Sequence, residues 1–233
     1  MDSVSDSGSA GVVLLSGGLD STVAAALALR ARTAASALFF DYGQIAAMRE
    51  EAAARAIAAH CRLGFEALDI SWLGRISRSA LARGSEGAPD LPEHASRLEA
   101  QRASRAVWVE NRNAIFINIG AAFAAARGGG VIVTGFNREE AERFPDNSER
   151  FVEAVNRALE ISAGEPVRVV SPTLGMDKRA IAAAGIELGI PWEALWSCYR
   201  DGERMCGRCE SCMSLRRAIV GTAAWEAVRF ESS

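Results

Sequence analysis

Short apolar runs alternate with longer segments of helical periodicity along most of the chain. The runs are rich in β-branched and aromatic residues, as buried strands are, and they occupy residues 11–18, 35–43, 65–73, 131–136 and 168–173. Helical patterns follow at 20–32, 48–61, 113–128, 148–162 and 177–189, and a closing helix begins near residue 213. Strands alternating with helices of this length are typical of a parallel sheet covered on both faces. The pattern predicts a doubly wound α/β fold.

Residues 74–109 interrupt this alternation. The segment is rich in Arg, Ser, Gly and Pro and has no steady hydrophobic period. Long irregular segments of this kind are usually lids or flexible loops. We therefore expect a lid within an α/β domain that spans residues 1–190. Residues 191–233, which carry most of the cysteines, are expected to pack on the same core.

Composition and charge narrow the class of protein. The chain is 49% hydrophobic and 24% charged, and its net charge of −3 gives no general electrostatic reason to bind nucleic acid. Residues 1–10 contain two acids and lack the basic and apolar regions of a signal peptide. The longest apolar run, 114–126, is too short to cross a bilayer. We expect a cytoplasmic protein that does not enter the membrane and does not bind nucleic acid directly.

The sequence SGGLDS (16–21) lies between the first predicted strand and the first predicted helix. Its two glycines allow the backbone to approach an anion, and the helix that follows points its free N–H groups at the same place. Ser16, Ser21 and Thr22 add hydroxyl donors. The alternative is a plain glycine turn that caps a helix. The aspartate and the serines after a buried strand favour a phosphate or pyrophosphate site, although the spacing matches neither a Walker A loop nor GxGxxG.

Four of the five cysteines lie within fifteen residues, at Cys198, Cys206, Cys209 and Cys212. In a cytoplasmic chain such a cluster favours a metal over disulfides. Four thiolates suit tetrahedral zinc and leave no open coordination position, so the predicted site is structural. An iron–sulfur cluster is the alternative, because C-x2-C-x2-C also occurs in ferredoxins. Colour separates the two, since an iron–sulfur protein is brown and a zinc protein is colourless.

The glycine turn resembles the pyrophosphate loop of the ATP pyrophosphatase (PP-loop) superfamily. Together with later segments it follows the order and approximate spacing of the 7-cyano-7-deazaguanine synthase family, from about residue 12 to residue 217. Those segments are FFDYGQ, ENRNAIFINIGAAFA, TGFNREEAERFPDNSERFVEAVNRAL, SPTLGMDK and WSCYRDGERMCGRCESC. Ile45 and Ala46 depart from the family, which usually has an arginine and a histidine after YGQ.

This resemblance implies an ATP-dependent ligase with ATP, Mg²⁺ and Zn²⁺ as cofactors. The family combines 7-carboxy-7-deazaguanine with ammonia and forms the nitrile precursor of queuosine-type nucleosides. Adenylation gives the carboxylate a leaving group, and ammonia displaces AMP to form the amide. A second adenylation, at the amide oxygen, then permits dehydration to the nitrile. The resemblance also implies a homodimer.

Site residues follow from the same resemblance. Catalytic roles fall on Asp20 and Lys178, and the substrate is expected to contact Tyr42, Gln44 and Asp146. The residues expected to bind ATP are Leu15, Ser16, Gly17, Gly18, Leu19, Asp20, Ser21, Thr22, Val23, Ala24, Ala25, Arg112 and Asn113. Zinc is expected at the four clustered cysteines. The alternatives are a solvated lysine at position 178 and simple helix capping by Arg112, Asn113 and the residues next to Asp146.

Three other interpretations stay open at this point. A diverged relative would adenylate the same acid and then stop at the amide, or transfer the deazaguanine acyl group to an amine of a protein acceptor. A zinc-ribbon module that binds nucleic acid belongs to another class, and the acidic balance counts against it. A tRNA-thiolating enzyme needs a reactive sulfur carrier, whereas the clustered cysteines here are assigned to metal.

Overall fold

The computed structural model describes residues 11–92 and 94–231, so the prediction about a signal peptide in residues 1–10 lies outside the described part. The described chain forms a five-stranded sheet in the order β3-β2-β1-β4-β5. Every pair of neighbouring strands is parallel. The strands are β1 (Val12–Leu14), β2 (Ser36–Asp41), β3 (Gly64–Asp69), β4 (Gly130–Val133) and β5 (Val167–Val170). The predicted α/β fold is confirmed.

Helices connect and cover these strands. They are α1 (Leu19–Arg30), α2 (Ala47–His60), α3 (Trp72–Ile76), α4 (Arg97–Ala106), α5 (Arg112–Ala125), α6 (Arg138–Ala141), α7 (Glu149–Ser162), α8 (Lys178–Leu188) and α9 (Glu210–Ile219). Short 3-10 turns lie at Pro145–Asn147, Trp192–Ala194 and Ala223–Trp225. Among the described residues, no helix combines the length and the apolar character that a membrane crossing requires.

The sheet has an apolar core on each face because successive strand residues point in opposite directions. Val13 and Phe39 belong to the cluster that includes residues of α1, α2 and α8. Val12 and Phe40 belong to the opposite cluster, which includes residues of α5 and α7. Strands that are buried on both faces form continuous apolar runs instead of alternating apolar and polar residues, and the strand segments of this sequence are such continuous runs. The sheet is therefore doubly wound, as predicted.

The strand order reverses between β1 and β4. From β1 the chain builds outward through β2 and β3, and it then crosses over to β4 and β5 on the other side. Ligands of doubly wound folds bind at this switch point, beside the carboxyl ends of the strands. Gly135 follows β4 there, and a Cβ on it would lie 2.6 Å from the amide nitrogen of Ser21. The exit of β4 therefore packs directly against the first turn of α1.

The segment 74–109 is more regular than the sequence pattern indicated. It contains α4, which begins with a capping box: Ser96 Oγ accepts a hydrogen bond from Glu99 N at 3.2 Å, and Glu99 accepts one from Ser96 N at 2.7 Å. The helix escaped the periodicity argument because its residues are mostly polar. The description of the whole segment as irregular is wrong at these ten residues and at the end of α3, which reaches Ile76. Its role as a lid stays a prediction.

The cysteine segment packs on the same core as the sheet. Cys198 and Cys209 belong to the apolar cluster that contains Val13. Just before the cysteines, the backbone N–H of Trp196 donates a hydrogen bond to the carbonyl oxygen of Gly17 at 3.0 Å. The C-terminal part of the chain therefore contacts the glycine turn directly.

Candidate active site

The turn between β1 and α1 forms one wall of a cleft. Hydroxyl groups tie this turn to the first turn of the helix: Ser16 N donates to Ser21 Oγ at 3.2 Å, and Thr22 Oγ1 donates to the Gly18 carbonyl at 2.7 Å. Gly18 is the N-cap and makes no side-chain capping bond. The first N–H groups of α1 are thus available, with the positive end of the helix dipole, to bind an anion.

The two glycines of the turn are required for different reasons. Gly17 has φ +83°, and a Cβ there would lie 2.8 Å from both the Ala53 Cβ and the Glu50 carbonyl oxygen. Gly18 has φ −84°, and the nearest atom to a Cβ there would be 3.5 Å away. We expected both glycines to make room for an anion. In the structure Gly17 makes room for helix α2, and Gly18 alone faces the side of the cleft.

A buried lysine lies beside the turn. Lys178 Nζ donates to Asp20 Oδ2 at 2.5 Å and to Glu140 Oε1 at 3.1 Å. Burial raises the pKa of Asp20 to about 6, against the opposing attraction of Lys178. Burial alone would lower the pKa of Lys178, but the two carboxylates outweigh it and hold that pKa above its ordinary value. Lys178 is therefore a fixed cation next to the glycine turn, not a solvated lysine.

One oxygen of Asp20 has no hydrogen-bond partner. Asp20 Oδ1 is buried, and none of the described residues donates to it. An unpartnered buried polar atom is costly unless a ligand pairs with it. A carboxylate oxygen next to a turn whose free N–H groups can receive phosphate is the kind of ligand that Mg²⁺ takes together with phosphate oxygens. The residues present therefore fit a Mg²⁺ ion at this point.

Aromatic side chains form the other end of the cleft. Phe40 and Phe116 stack with their ring centroids 4.3 Å apart, and the Tyr42 ring lies 5.7 Å from that of Phe116. The Arg112 guanidinium lies over the Tyr42 ring at 5.4 Å and donates to the Tyr42 hydroxyl at 3.3 Å. Flat apolar faces combined with a few polar groups suit a planar heterocycle.

The four clustered cysteines are buried and face one another. Their sulfur atoms all lie within 4.8 Å of each other, and Cys206 Sγ is 3.9 Å from Cys212 Sγ. A tetrahedron with Zn–S bonds of about 2.3 Å has edges of about 3.8 Å. Backbone N–H groups of Arg200 and Cys206 donate to Cys198 Sγ at 3.4 and 3.3 Å, which stabilises thiolate character. The donor set fits zinc, and four sulfurs leave no position for a reacting water.

Comparison with known proteins agrees with this geometry. A family model described as "Queuosine biosynthesis protein QueC" matches residues 10–222. The chain belongs to the QueC family.

Named QueC relatives support the same assignment. A 7-cyano-7-deazaguanine synthase from Desulforudis audaxviator is 47% identical over 210 residues, covering 89% of this chain and 95% of the relative. One from Pelotomaculum thermopropionicum is 48% identical over 209 residues, covering 89% and 95%. These relatives support the synthase interpretation, not the amide-forming, protein-modifying or nucleic-acid-binding alternatives. A solved NH3-dependent NAD synthetase from Campylobacter jejuni is 18% identical to this chain, with a TM-score of 0.44. The match covers 80% of this chain and 66% of the synthetase, and it is too weak to support a functional argument.

Most of the site residues expected for a QueC protein line one cleft, whose cavity volume is about 240 Å³. The predicted residues among them are Leu15, Ser16, Gly18, Leu19, Asp20, Ser21, Tyr42, Arg112, Asn113, Asp146 and Lys178. Asn113 Nδ2 also donates to the Asp146 carbonyl at 3.3 Å, so it holds the turn that carries Asp146. Residues separated by most of the chain length thus converge at the switch point.

Some residues that were predicted to contact ATP or the substrate do not line the cleft. Gly17, Thr22, Val23, Ala24 and Ala25 are not among the residues that line the cleft. The last three are fully buried in the core of α1, where small side chains allow close packing. Gln44 is also buried and does not line the cleft. Its amide accepts from Tyr42 N and donates to Glu50 Oε2, both at 2.8 Å, so Gln44 acts on the cleft through Glu50.

Sequence reasoning missed several polar residues of the cleft. Glu50 and Glu140 line it directly, and burial raises the pKa of Glu50 to about 7. Tyr199 also lines it, and its hydroxyl donates to Glu210 at 3.1 Å. Arg143 forms an ion pair with the same buried Glu210. Signals were available for most of them, since Glu140 and Arg143 lie in TGFNREEAERFPDNSERFVEAVNRAL and Tyr199 and Glu210 lie in WSCYRDGERMCGRCESC. Glu50 belongs to none of these segments.

Proposed function

We propose that the chain catalyses the 7-cyano-7-deazaguanine synthase reaction. It converts 7-carboxy-7-deazaguanine, ammonia and ATP into the nitrile, through an adenylate and an amide. The observation that carries the proposal is the single cleft that joins a phosphate-binding turn and a fixed lysine to an aromatic pocket. The family and the named relatives support the same reaction.

The turn and Lys178 bind the nucleotide phosphates. The N–H groups at the start of α1 and the Lys178 ammonium stabilise negative charge where pyrophosphate departs. These groups are held in place before the reaction by the Ser16–Ser21 and Asp20–Lys178 contacts, so they need little reorganisation. Asp20 would hold Mg²⁺ through its free oxygen, and the ion would neutralise phosphate charge.

The aromatic end binds the deazaguanine ring. Phe116 and Tyr42 provide flat faces against which the ring packs, and Arg112 keeps Tyr42 oriented. The Asp146 carboxylate accepts hydrogen bonds from N–H groups of the ring, and its half-buried position raises its pKa by desolvation. With the ring at this end, the carboxyl group of the substrate points toward the α-phosphate.

The cysteines hold zinc in a structural role. Cys198, Cys206, Cys209 and Cys212 would bind the ion, which keeps the chain from Trp196 to Tyr199 against the cleft. A homodimer and a cytoplasmic location stay predictions of the sequence.

The product assay tests the proposal directly. Purified protein is incubated with 7-carboxy-7-deazaguanine, ammonium and ATP, and products are followed by mass spectrometry. We expect nitrile, with two ATP converted to AMP and pyrophosphate for each nitrile, because each of the two steps needs its own adenylate. Accumulated amide, or no small-molecule product, would contradict the proposal. Asp20→Ala should abolish turnover, whereas Glu187→Gln, at an ion pair exposed on α8, should not.

A further inference from the structure

Four carboxyl groups line the cleft, and they differ in their partners. Asp20 and Glu140 share the ammonium of Lys178. Asp146 lies at the aromatic end, beside Asn113. Glu50 forms no ion pair within the described part of the chain, and its one described side-chain hydrogen bond comes from the neutral amide of Gln44. Of the four, Glu50 and Asp146 thus form no ion pair among the described residues, and Glu50 is the one of these two whose backbone lies beside the glycine turn.

Glu50 is held rigidly by the residues that precede it. Gln44 Nε2 donates to Phe40 O at 3.2 Å and to Glu50 Oε2 at 2.8 Å, while its Oε1 accepts from Tyr42 N. The backbone of Glu50 packs against the glycine turn, since its carbonyl oxygen and the Ala53 Cβ are the two atoms that would lie 2.8 Å from a Cβ at Gly17. The other carboxylate oxygen, Oε1, accepts no hydrogen bond from the described residues, and the side chain lines the cleft. Glu50 therefore lies between the phosphate turn and the aromatic end.

We propose that Glu50 is the proton acceptor at the reacting nitrogen, in amide formation and again in dehydration. The inference rests on the proposed function, because it assigns a role within that reaction. Both steps remove a proton from nitrogen bound to the same carbon, so a single base at one position can serve both.

In the first step ammonia adds to the acyl carbon of the adenylate. Its lone pair forms the C–N bond, and the carbonyl π electrons move to oxygen. The Glu50 carboxylate takes one proton from the resulting ammonium group. The carbonyl then re-forms as the C–O bond to the phosphate of AMP breaks, and AMP leaves with the electron pair of that bond. The products are the amide, AMP and one proton held on Glu50, which passes to solvent before the next step.

Before the second step, the amide oxygen attacks the α-phosphate of a second ATP, pyrophosphate leaves, and the nitrogen loses one of its two protons to solvent. The adenylated amide is then a neutral imidate with one remaining N–H. Glu50 takes that proton, and the electrons of the N–H bond form the third C–N bond. The C–O bond to AMP breaks at the same carbon, and AMP again leaves with its electron pair. The products are the nitrile, AMP and one proton. No oxidant or further reactant is needed, because both steps are eliminations of AMP.

The environment suits a base that acts at neutral pH. Burial raises the pKa of Glu50 to about 7, and the hydrogen bond from Gln44 and the charge of Arg112 oppose this rise. The charged groups that face it are thus Arg112 on α5 and Asp41 at the end of β2. A base with a pKa near the working pH combines a useful ionised fraction with good proton affinity.

The test compares Glu50→Gln with Glu51→Gln, a matched change at the next residue, whose side chain pairs with Arg55 outside the cleft. The amide oxygen that Glu50→Gln introduces can still accept from Gln44, so the fold should be retained. We expect acid-dependent exchange of labelled pyrophosphate into ATP to stay within about threefold of wild type. Nitrile formation should fall by about 10²-fold or more, as loss of a general base predicts. Synthetic amide supplied with ATP should show a similar loss.

Each result has a distinct meaning. If exchange and nitrile formation fall together, Glu50 supports nucleotide binding or folding and the proposal is overturned. It is also overturned if Glu50→Gln forms nitrile within about threefold of Glu51→Gln. Normal conversion of supplied amide would remove the dehydration role. Failure of the wild-type protein to make nitrile would reject the proposed function itself. Loss of activity in Glu50→Gln alone would not, because the wild-type protein would still make nitrile.

Discussion

Replacing Gly17 by alanine separates packing from backbone strain in the phosphate turn. Gly17 and Gly128 have nearly equal φ angles, +83° and +87°. A Cβ at Gly128 has no neighbour within 4 Å, whereas one at Gly17 would lie 2.8 Å from the Glu50 carbonyl and from the Ala53 Cβ. Gly128→Ala is therefore a matched control that carries the dihedral cost alone.

The expected losses in the free energy of unfolding follow from backbone strain and from crowding of the new Cβ. A left-handed conformation costs an alanine about 1–2 kcal/mol, and the loss of glycine entropy in the unfolded chain returns about 0.4–1 kcal/mol of that. Gly128→Ala should therefore lower the free energy of unfolding by about 1 kcal/mol. Crowding of helix α2 against Gly17 adds about 1–3 kcal/mol, as overpacking does in well-packed sites. Gly17→Ala should thus cost about 2–4 kcal/mol.

Urea unfolding of both variants, with zinc present, measures the difference. Pyrophosphate exchange into ATP measures whether the turn still binds nucleotide, and it should fall more than about tenfold in Gly17→Ala because the backbone must move. Gly128→Ala should exchange at the wild-type rate. Equal unfolding free energies, within about 0.5 kcal/mol, would refute the packing argument.

The remaining predictions concern Gly18, Lys178, Glu210 and the zinc site. Gly18→Ala should keep stability within about 1 kcal/mol but weaken ATP binding, measured by calorimetry, because its Cβ would occupy the cleft side. Lys178→Met should lower the free energy of unfolding by about 2–4 kcal/mol at pH 7, measured by urea unfolding, because Asp20 and Glu140 lose their cation. The loss should become smaller toward pH 5 as these two carboxylates take up protons. Arg179→Gln, at an exposed neighbouring residue, should change the free energy of unfolding little. Glu210→Gln should cost about 2–3 kcal/mol in urea, against about 0–1 kcal/mol for surface Glu187→Gln. A strong chelator should release one zinc per chain and abolish cooperative thermal unfolding of α9, seen by circular dichroism.

The features that the sequence predicted well are local in the chain. Buried strands form continuous apolar runs, and SGGLDS and the four cysteines each lie within a few residues of one another. Their geometry depends mainly on nearby backbone, so spacing alone indicates a turn at the end of β1 and a tetrahedral sulfur site. The order of these motifs along the chain then indicated one family, which no single motif could do.

The contacts that the sequence could not predict join distant segments. Asp20 and Lys178 are 158 residues apart, and their pairing depends on how α1 and α8 pack at the switch point. Glu50 belongs to an ordinary amphipathic helix, and its pKa is raised by burial that exists only in the folded protein. Gln44 is the last residue of FFDYGQ, yet its side chain points into the protein, which a pattern of residue types does not reveal.

The bond from Trp196 N to Gly17 O has a consequence for synthesis of the protein. The glycine turn is translated long before Trp196, Ser197 and Tyr199, which complete its cleft. A nascent chain interrupted before the cysteines would carry a nucleotide turn without its facing wall. The complete cleft therefore forms only after the cysteine segment has been translated and has packed against the glycine turn.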